Sequence, residues 1–563
     1  MRCNLIKRPS RGPALLTIGL MAVIVLAAPA SASAAPKGLF VGDYGGTSIS
    51  QFTIATSGLL APNGSVGSGA GNWMLVATPD GRYVYGTNFY SGNVSQYSVG
   101  AGGSSLAPLT PATVATGSST DSEPEQLAVS PDGKNVYVAN ATSGSVSVFD
   151  VGSGGTLSLA QTVTTDLSGP TGVAVSPDGT SVYVADSGDT EIVEFNRASD
   201  GTLTAKSSPT VPTQTTGNYV LVLTPNGQYL YISGDGNATI RAFSVGSGGE
   251  LTALTNTATE GFGNHQLTVS PNGRNLYASS CESDDVYQYG IGSTGALSAL
   301  VPPTATTGGI CPEEQWMTAS GAHLYATDFY TETPSSHGDV SQFSVSSTGA
   351  LSLMSPPTAP AGAGPSGVVI APDQGPVARF SEKLGSAGKP TKFNASMSFA
   401  PDGTVVSYHW QFGDGHTLTT TTARVKHTYK KAGKYTVSLT VTDDAGCSTT
   451  LVFTGQTAYC HPGESVKHTL KVSSGAKLKL AVTPHTATAG KTTCYAFRVS
   501  SKGKPVRKST VTLNGHHAAT NSAGKTTLCL KLSKGRHRAR ATKKGFTAAT
   551  AAIRVTAAAA FTG

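Results

Sequence analysis

The phrase "SPDGKNVYVAN", at residues 130–140, recurs as "TPDGRYVYGTN" from Thr78, "SPDGTSVYVAD" from Ser176, "TPNGQYLYISG" from Thr224 and "SPNGRNLYASS" from Ser270. Aligned on the glycine after Pro-Asp or Pro-Asn, and with the degenerate "ASGAHLYATD" included, the copies place Gly81, Gly133, Gly179, Gly227, Gly273 and Gly321 at steps of 52, 46, 48, 46 and 48 residues. A period of this size marks a propeller or a solenoid. Inside one period "LAVS" leads through the Pro-Asp-Gly turn to "NVYVAN", then to "SVSVFDV", a glycine turn at "GSGG", and "TLSLAQTV". Each segment alternates apolar with polar residues, so a unit holds four short antiparallel strands.

Four strands repeated around an axis make a propeller blade, and a closed ring leaves no sheet edge open to pair with another chain. Six glycines mark six blades. A seventh is expected to be shared between the ends of the repeat region: "SGVVIAPDQ" from Ser366 supplies a first strand and turn, and "GLFVGDYGGTSISQFTI" from Gly38 the second and third strands. Glycine at 67 positions, proline at 31 and only 13% charged residues agree with many turns and little helix. The fold class expected is all-β: a seven-bladed β-propeller at 38–375 followed by two β-sandwich (Ig-like) domains.

The ends of the chain differ in chemistry. Arg2, Lys7, Arg8 and Arg11 precede the apolar run "ALLTIGLMAVIVLAAPA" and the small residues "SASAAP", the pattern of a secretory signal over 1–34 that is cut after Ala34. An uncleaved anchor is the rival reading, opposed by Pro29 and the Ala32-Ser33-Ala34 site. No second apolar span follows, so no transmembrane span is expected after signal removal, and the mature protein is expected to be secreted, extracellular or cell-surface associated. Residues 38–375 carry 26 Asp and Glu against 6 Lys and Arg, whereas residues 464–563 carry 19 Lys and Arg against Glu464 alone. The front is anionic and the tail cationic, so the two should meet different partners.

Removing the signal takes Cys3 with it and leaves Cys281, Cys311, Cys447, Cys460, Cys494 and Cys529. Six cysteines outside the cell permit 15 disulfide connectivities. They fall into three pairs local in sequence, 281 with 311, 447 with 460 and 494 with 529, and that pairing is the one expected. No pair has zinc-ligand spacing beside a histidine cluster, so no metal or other cofactor is expected. The acids "ESDD" from Glu282 raise calcium as a weak alternative, lacking the ligand spacing of a calcium loop.

The repeat resembles the YVTN type of seven-bladed β-propeller found in secreted surface proteins and in the lactonase family. Residues 376–446, with "VSYHWQFGDG" and "VKHTYKKAGKYTVSLTVTD", resemble a polycystic-kidney-disease (PKD) domain through Trp410, the Gly413-Asp414-Gly415 turn and His427-Thr428-Tyr429. The resemblance implies a small β-sandwich acting as spacer or adhesive module, with Trp410 in its core. Residues 447–472 are expected to form a linker with a disulfide. Residues 473–560 resemble a bacterial immunoglobulin-like module in which Cys494 and Cys529, each in an apolar strand, would join the two sheets.

In a propeller the first strand of each blade lines the central channel, and its start opens on one face. Counting eight residues back from each repeat glycine gives Trp73, Glu125, Thr171, Tyr219, His265 and Glu313, with Ser366 on the closing blade. These seven are expected to ring the channel mouth. In lactonase-family sequences this point often reads Pro-His, and His265 holds the equivalent place here after Asn264. The resemblance implies a hydrolase using His265 with Glu125 or Glu313 as an acid–base set. Relatives also use arginines at the channel, and no Lys or Arg falls on this ring, so an anionic sugar phosphate lacks a clamp. No activated nucleophile accompanies the ring, which favours ligand binding at Trp73, Thr171, Tyr219 and Ser366, with Trp73 and Tyr219 placed to stack on a sugar or to pack the channel. The leading expectation is thus a secreted or surface protein that binds a carbohydrate, a cell-wall polymer or a protein ligand. Its basic module would contact anionic surface polymers without sequence-specific recognition of nucleic acid, since aromatic and basic residues do not interleave there. A lactonase-like hydrolase and a purely structural surface protein are the alternatives.

Overall fold

The "PDG" phrase forms a tight turn for reasons visible in its own atoms. In the third blade Gly133 N–H bonds to Ser130 C=O (2.8 Å), Ser130 Oγ donates to Asp132 Oδ1 (2.6 Å), and Gly133 takes φ +68°. Pro131 presets the first turn dihedral and glycine tolerates the left-handed conformation that closes it. The turn joins strands Pro124–Val129 and Asn135–Asn140, and the blade continues through Ser145–Val151 to Leu157–Val163.

The computed structural model describes residues 37–117, 123–214, 217–234, 238–259, 264–330, 338–401, 403–443, 465–473 and 475–558. The unit Met1–Ser33, which holds the expected secretory signal, lies outside the described residues, as does the expected Cys447–Cys460 pair. Among the described residues no helix is long and apolar enough to cross a membrane.

Seven four-stranded antiparallel sheets form the propeller. Blade 1 joins Pro365–Ile370 to Lys37–Asp43, Ser48–Ile54 and Leu60–Gly67, in that order. The amino-terminal segment therefore contributes three strands to the shared blade, one beyond the two expected, because "LAPNGSVG" pairs along Ser48–Ile54. Blades 2 to 7 follow in chain order from Asn72 to Pro360, and their first strands contact one another around the axis. Burial falls from the axis outward: Pro170–Val175 is wholly buried, whereas most of Leu106–Ala115 is exposed.

Adjacent blades are bolted by one repeated contact. The tyrosine of each "VY", "LY" or "YVY" phrase donates to a turn carbonyl of the next blade: Tyr85 to Gly155 (2.6 Å), Tyr137 to Gly201 (2.9 Å), Tyr183 to Gly249 (2.7 Å), Tyr231 to Gly295 (2.9 Å) and Tyr277 to Gly349 (2.7 Å). Each ring is fully buried between sheets, and each hydroxyl satisfies a carbonyl that would otherwise be desolvated without a partner.

After the propeller, Ser381–Lys383, Pro390–Asn394 and Arg424–Thr428 form one sheet, and Thr417–Thr420, Val405–Gln411, Gly433–Asp443 and Val466–Val472 another. Trp410 is 0% exposed between them, edge-on to Phe380 at 5.1 Å. The strand Val466–Val472 pairs with Gly433–Leu439 and buries Leu470 and Val472. The stretch 447–472, expected as linker, thus ends in a strand of this sandwich, because its alternating apolar residues have a core face to fill.

The last module is a second sandwich, with Lys479–Thr483, Thr492–Ser501 and Lys525–Lys531 in one sheet and Thr486–Thr488, Ala549–Thr556, Gly535–Thr542, Thr510–Leu513 and His516–Ala519 in the other. Cys494 and Cys529 are disulfide-bonded but sit directly opposite each other on neighbouring strands of one sheet. The expected link between sheets is therefore corrected to a cross-strand link. Period-2 alternation explains it: Tyr495, Phe497 and Val499 fill the core, which turns Cys494 outward with Ala496 and Arg498.

Candidate functional site

Each ring residue sits near the start of an axial strand, and the structure brings four of the seven together. Trp73, Glu125, Thr171 and Glu313 line one cavity of about 20 Å³, with Met74, Gln126, Val220 and Glu314. That space admits about one water molecule. Ser366 is buried and does not line it, its C=O accepting a 2.7 Å bond from Thr327 Oγ1. The side chains of Tyr219 and His265 lie outside the described residues, although their backbones belong to strands Asn218–Leu223 and Asn264–Val269.

Deeper in, Leu75, Leu127, Val173, Leu221 and Trp316 close the channel around another space of about 20 Å³. Chemistry on a sugar-sized ligand therefore has no room inside the channel and must take place at the mouth.

Carboxyl groups dominate that mouth. Burial, reinforced by Glu123, pushes the Glu125 carboxyl up to about 7. Glu314 is fully enclosed, and burial raises it well above the carboxylate range even though Val368 N–H donates to its Oε2 at 3.2 Å. Near neutral pH Glu314 holds its proton, whereas Glu125 is divided between its protonated and ionised forms and can either donate or accept a hydrogen bond. The described cavity lining contains no Lys or Arg. Several propeller cations are engaged elsewhere: Arg82 on Asp80, Arg197 on Asp132, and Lys206 on the Gly248 carbonyl. Glu314 escapes the count of eight because it is the next residue along, where other blades carry Met74 or Val220.

Aromatic rings frame the cavity on one side. Tyr44 lies 5.0 Å from Trp73, 5.1 Å from Tyr90, and 6.1 Å from each of Phe89 and Phe329, while Phe329 lies 4.8 Å from Tyr330. Tyr90 is 62% exposed and Tyr330 57% exposed. Apart from Trp73, these rings come from the ends of the second strands of three neighbouring blades: Phe329 and Tyr330 close the strand His323–Tyr330 of blade 7, and Tyr44 and Phe89-Tyr90 follow the corresponding strands of blades 1 and 2. At the matching positions blades 3, 4 and 6 carry Ala141-Thr142, Ser187-Gly188 and Cys281-Glu282. The signal was in the sequence, as "DY", "NFY" and "DFY" after the repeat phrase, at a place read only as a short loop.

Cys281 and Cys311 form a disulfide that staples blade 6 to blade 7 beside Glu313. Cys281, Cys311 and Glu313 cluster closely enough to suggest a metal site, but both sulfurs are spent in the disulfide. In the "ESDD" loop Asp284 Oδ1 accepts a 2.7 Å bond from Cys311 N–H, so this acid serves the staple.

Two families match the sequence. The one described as "Lactonase, 7-bladed beta-propeller" matches residues 29–217 and 205–313, and the PKD domain matches 373–456. Among solved structures, one from Bacteroides fragilis described as a candidate 6-phosphogluconolactonase is 22% identical with a TM-score of 0.52, covering 60% of this chain and 98% of that one. The periplasmic gluconolactonase of Pseudomonas aeruginosa is 20% identical with a TM-score of 0.50, covering 60% and 99%. At these identities the likeness shows the fold alone. Among curated proteins, a 75-residue stretch is 47% identical to the pre-pro-metalloprotease PrtV of Vibrio cholerae, and a 70-residue stretch 41% identical to a microbial collagenase of Vibrio alginolyticus. These matches span 8% of each relative's length, the size of one small module.

Proposed function

The chain belongs to the lactonase family of seven-bladed β-propellers, and on that scaffold we propose an extracellular binding protein whose propeller mouth holds an uncharged carbohydrate. The observation that carries this reading is the aromatic frame of Tyr44, Trp73, Tyr90 and Tyr330 beside the Glu125 carboxyl, which burial holds partly protonated at neutral pH. A sugar ring offers C–H faces that pack on exposed tyrosines and hydroxyls that pair with the partly exposed carboxyl of Glu125. An anionic ligand would meet a carboxyl-rich mouth whose described lining holds no Lys or Arg to clamp it. The PKD sandwich spaces the propeller from the basic module, whose outward arginines Arg536, Arg538 and Arg540 hold an anionic surface polymer.

The test is a screen of neutral oligosaccharides against the full chain, followed by Tyr90→Ala and Tyr330→Ala. Both rings are more than half exposed, so the variants should fold normally and lose at least tenfold in affinity. If no neutral glycan binds, or the variants bind as well as the parent, the reading fails.

A second reading, lactone hydrolysis at the mouth, is favoured by one observation: a Glu125 carboxyl pushed to about 7 is poised to exchange protons at neutral pH. Turnover of neutral sugar lactones by the full chain, lost in Glu125→Gln, would replace binding with catalysis as the propeller's role.

A further inference from the structure

The PKD-like sandwich carries a cluster that the propeller reading does not use. Asp414 sits in the Gly413-Asp414-Gly415 turn, whose glycines take φ +76° and +87°. That turn leads into Thr417–Thr420, whereas His427 belongs to Arg424–Thr428 in the opposite sheet. The Asp414 carboxylate meets both imidazoles: Oδ2 lies 2.8 Å from His427 Nε2, and Oδ1 lies 3.3 Å from His416 Nδ1. One ligand-capable atom from each of the three residues falls within 4.8 Å of the others.

The geometry points to a site for a divalent late first-row transition ion, Zn²⁺ foremost, held by Asp414 Oδ, His416 Nδ1 and His427 Nε2. Two imidazoles and one carboxylate are the borderline and hard donors that Zn²⁺ takes, and calcium does not use imidazole. Tetrahedral bonds of about 2.0–2.1 Å require ligand atoms roughly 3.4 Å apart; Asp414 Oδ1 and His416 Nδ1 already stand at 3.3 Å, and Asp414 must turn slightly away from His427 Nε2, now at 2.8 Å, to admit the ion between them. His427 is already oriented, because its ring stacks on Phe412 at 4.1 Å and 7° and meets Tyr429 edge-on at 4.7 Å. Exposure is graded in the way an open three-ligand site requires: the side chains are 13% exposed at His427, 16% at Asp414 and 60% at His416. The ion would sit against the sandwich and keep a fourth position toward solvent, for water or for a donor from another molecule. It would also tie the two sheets together, since its ligands come from both.

The experiment uses the full chain without a histidine tag, stripped of metal and titrated with Zn²⁺ by calorimetry, with unfolding followed in parallel. The parent should take up one tight equivalent and unfold at a higher temperature when loaded. His416→Ala touches only an exposed turn residue, so its metal-free unfolding should match the parent. Its zinc affinity should fall at least tenfold and its zinc-dependent gain in unfolding temperature should vanish. His416→Asn, which keeps a polar side chain in the turn, should behave like His416→Ala. The chain has twelve histidines, two of them adjacent at His516 and His517, so the double change His516→Ala with His517→Ala serves as the control. Equal uptake by parent and His416→Ala, or loss of the tight equivalent in the control, would overturn the proposal.

Discussion

The hydroxyl of Tyr325 donates a 2.6 Å hydrogen bond to the carbonyl of Gly58, 267 residues away in the chain. It is the same contact that joins Tyr137 to Gly201 between internal blades. Here it spans the seam where blade 7 meets blade 1, so the bond that staples neighbours in sequence also closes the ring. Blade 1 itself has Phe40 in the tyrosine register, fully buried and without a hydroxyl. The ring therefore has hydroxyl bolts from six blades and a purely apolar contact from the seventh.

Tyr325→Phe should cost about 1–3 kcal/mol, because the Gly58 carbonyl stays buried after its donor is removed. The propeller transition in a thermal or denaturant scan should move down, while the two sandwiches, unfolding independently, should not move. An unchanged propeller midpoint would mean that the Tyr325 hydroxyl adds nothing to the seam, which packing and the 2.6 Å bond from Leu60 N–H to Gln342 Oε1 would then hold.

The mouth carboxyls make propeller stability depend on pH in a definite direction. Glu125 has a native value of about 7 against 4.5 in an exposed chain, so the folded state holds a proton that the unfolded state gives up. Stability is greatest below pH 4.5, erodes as pH rises from 4.5 to 7, and beyond 7 has lost what this group can remove, at most about 3 kcal/mol. Asp328, pushed by burial to about 8, acts with the same sign over a window that reaches higher. Glu125→Gln should therefore gain stability relative to the parent between pH 4.5 and 7 and match it near pH 4. A parent and variant whose unfolding free energies run parallel across that range would show that the carboxyl is solvated.

The scaffold was legible because its signal repeats: the glycine at the Pro-Asp-Gly turn fixes strand phase, and counting eight back reached Trp73, Glu125, Thr171 and Glu313 around one cavity. What the count could not reach was anything that breaks the period. The aromatic frame lies at the ends of second strands, where only three blades agree, and Glu314 lies one step out of phase in a single blade. The placement of Cys494 failed for a different reason. The strand was recognised as apolar, but its alternation was not carried through, and Cys494 shares the outward phase of Arg498 rather than the inward phase of Phe497. His416 and His427 were separated by eleven residues and by a sheet, a juxtaposition that only the sandwich creates.

The two disulfides among the described residues should differ in accessibility. Cys494 and Cys529 both face solvent on the outside of a sheet, while Cys311 is 5% exposed beside Glu313. A reductant attacks a sulfur it can approach, so brief native reduction followed by alkylation and peptide mass mapping should label Cys494 and Cys529 first. Simultaneous labelling of Cys281 and Cys311 would mean that the staple beside the mouth opens as readily as the exposed one.

The basic module contains a contact that is unfavourable unless something anionic covers it. Arg536 and Arg554 are paired directly across neighbouring strands Gly535–Thr542 and Ala549–Thr556, and both are exposed. Like charges in register cost roughly 0.2–1 kcal/mol, and at 1 M salt, where the screening length is about 3 Å, that cost should largely vanish. Arg536→Thr should therefore raise the stability of the last sandwich in dilute buffer, show no gain at high salt, and weaken retention on an anionic polymer. The three effects share one cause, which separates this reading from ordinary surface charge. A variant that is stabilised at low salt yet is retained on the polymer as well as the parent would place the anion-binding face elsewhere on the module.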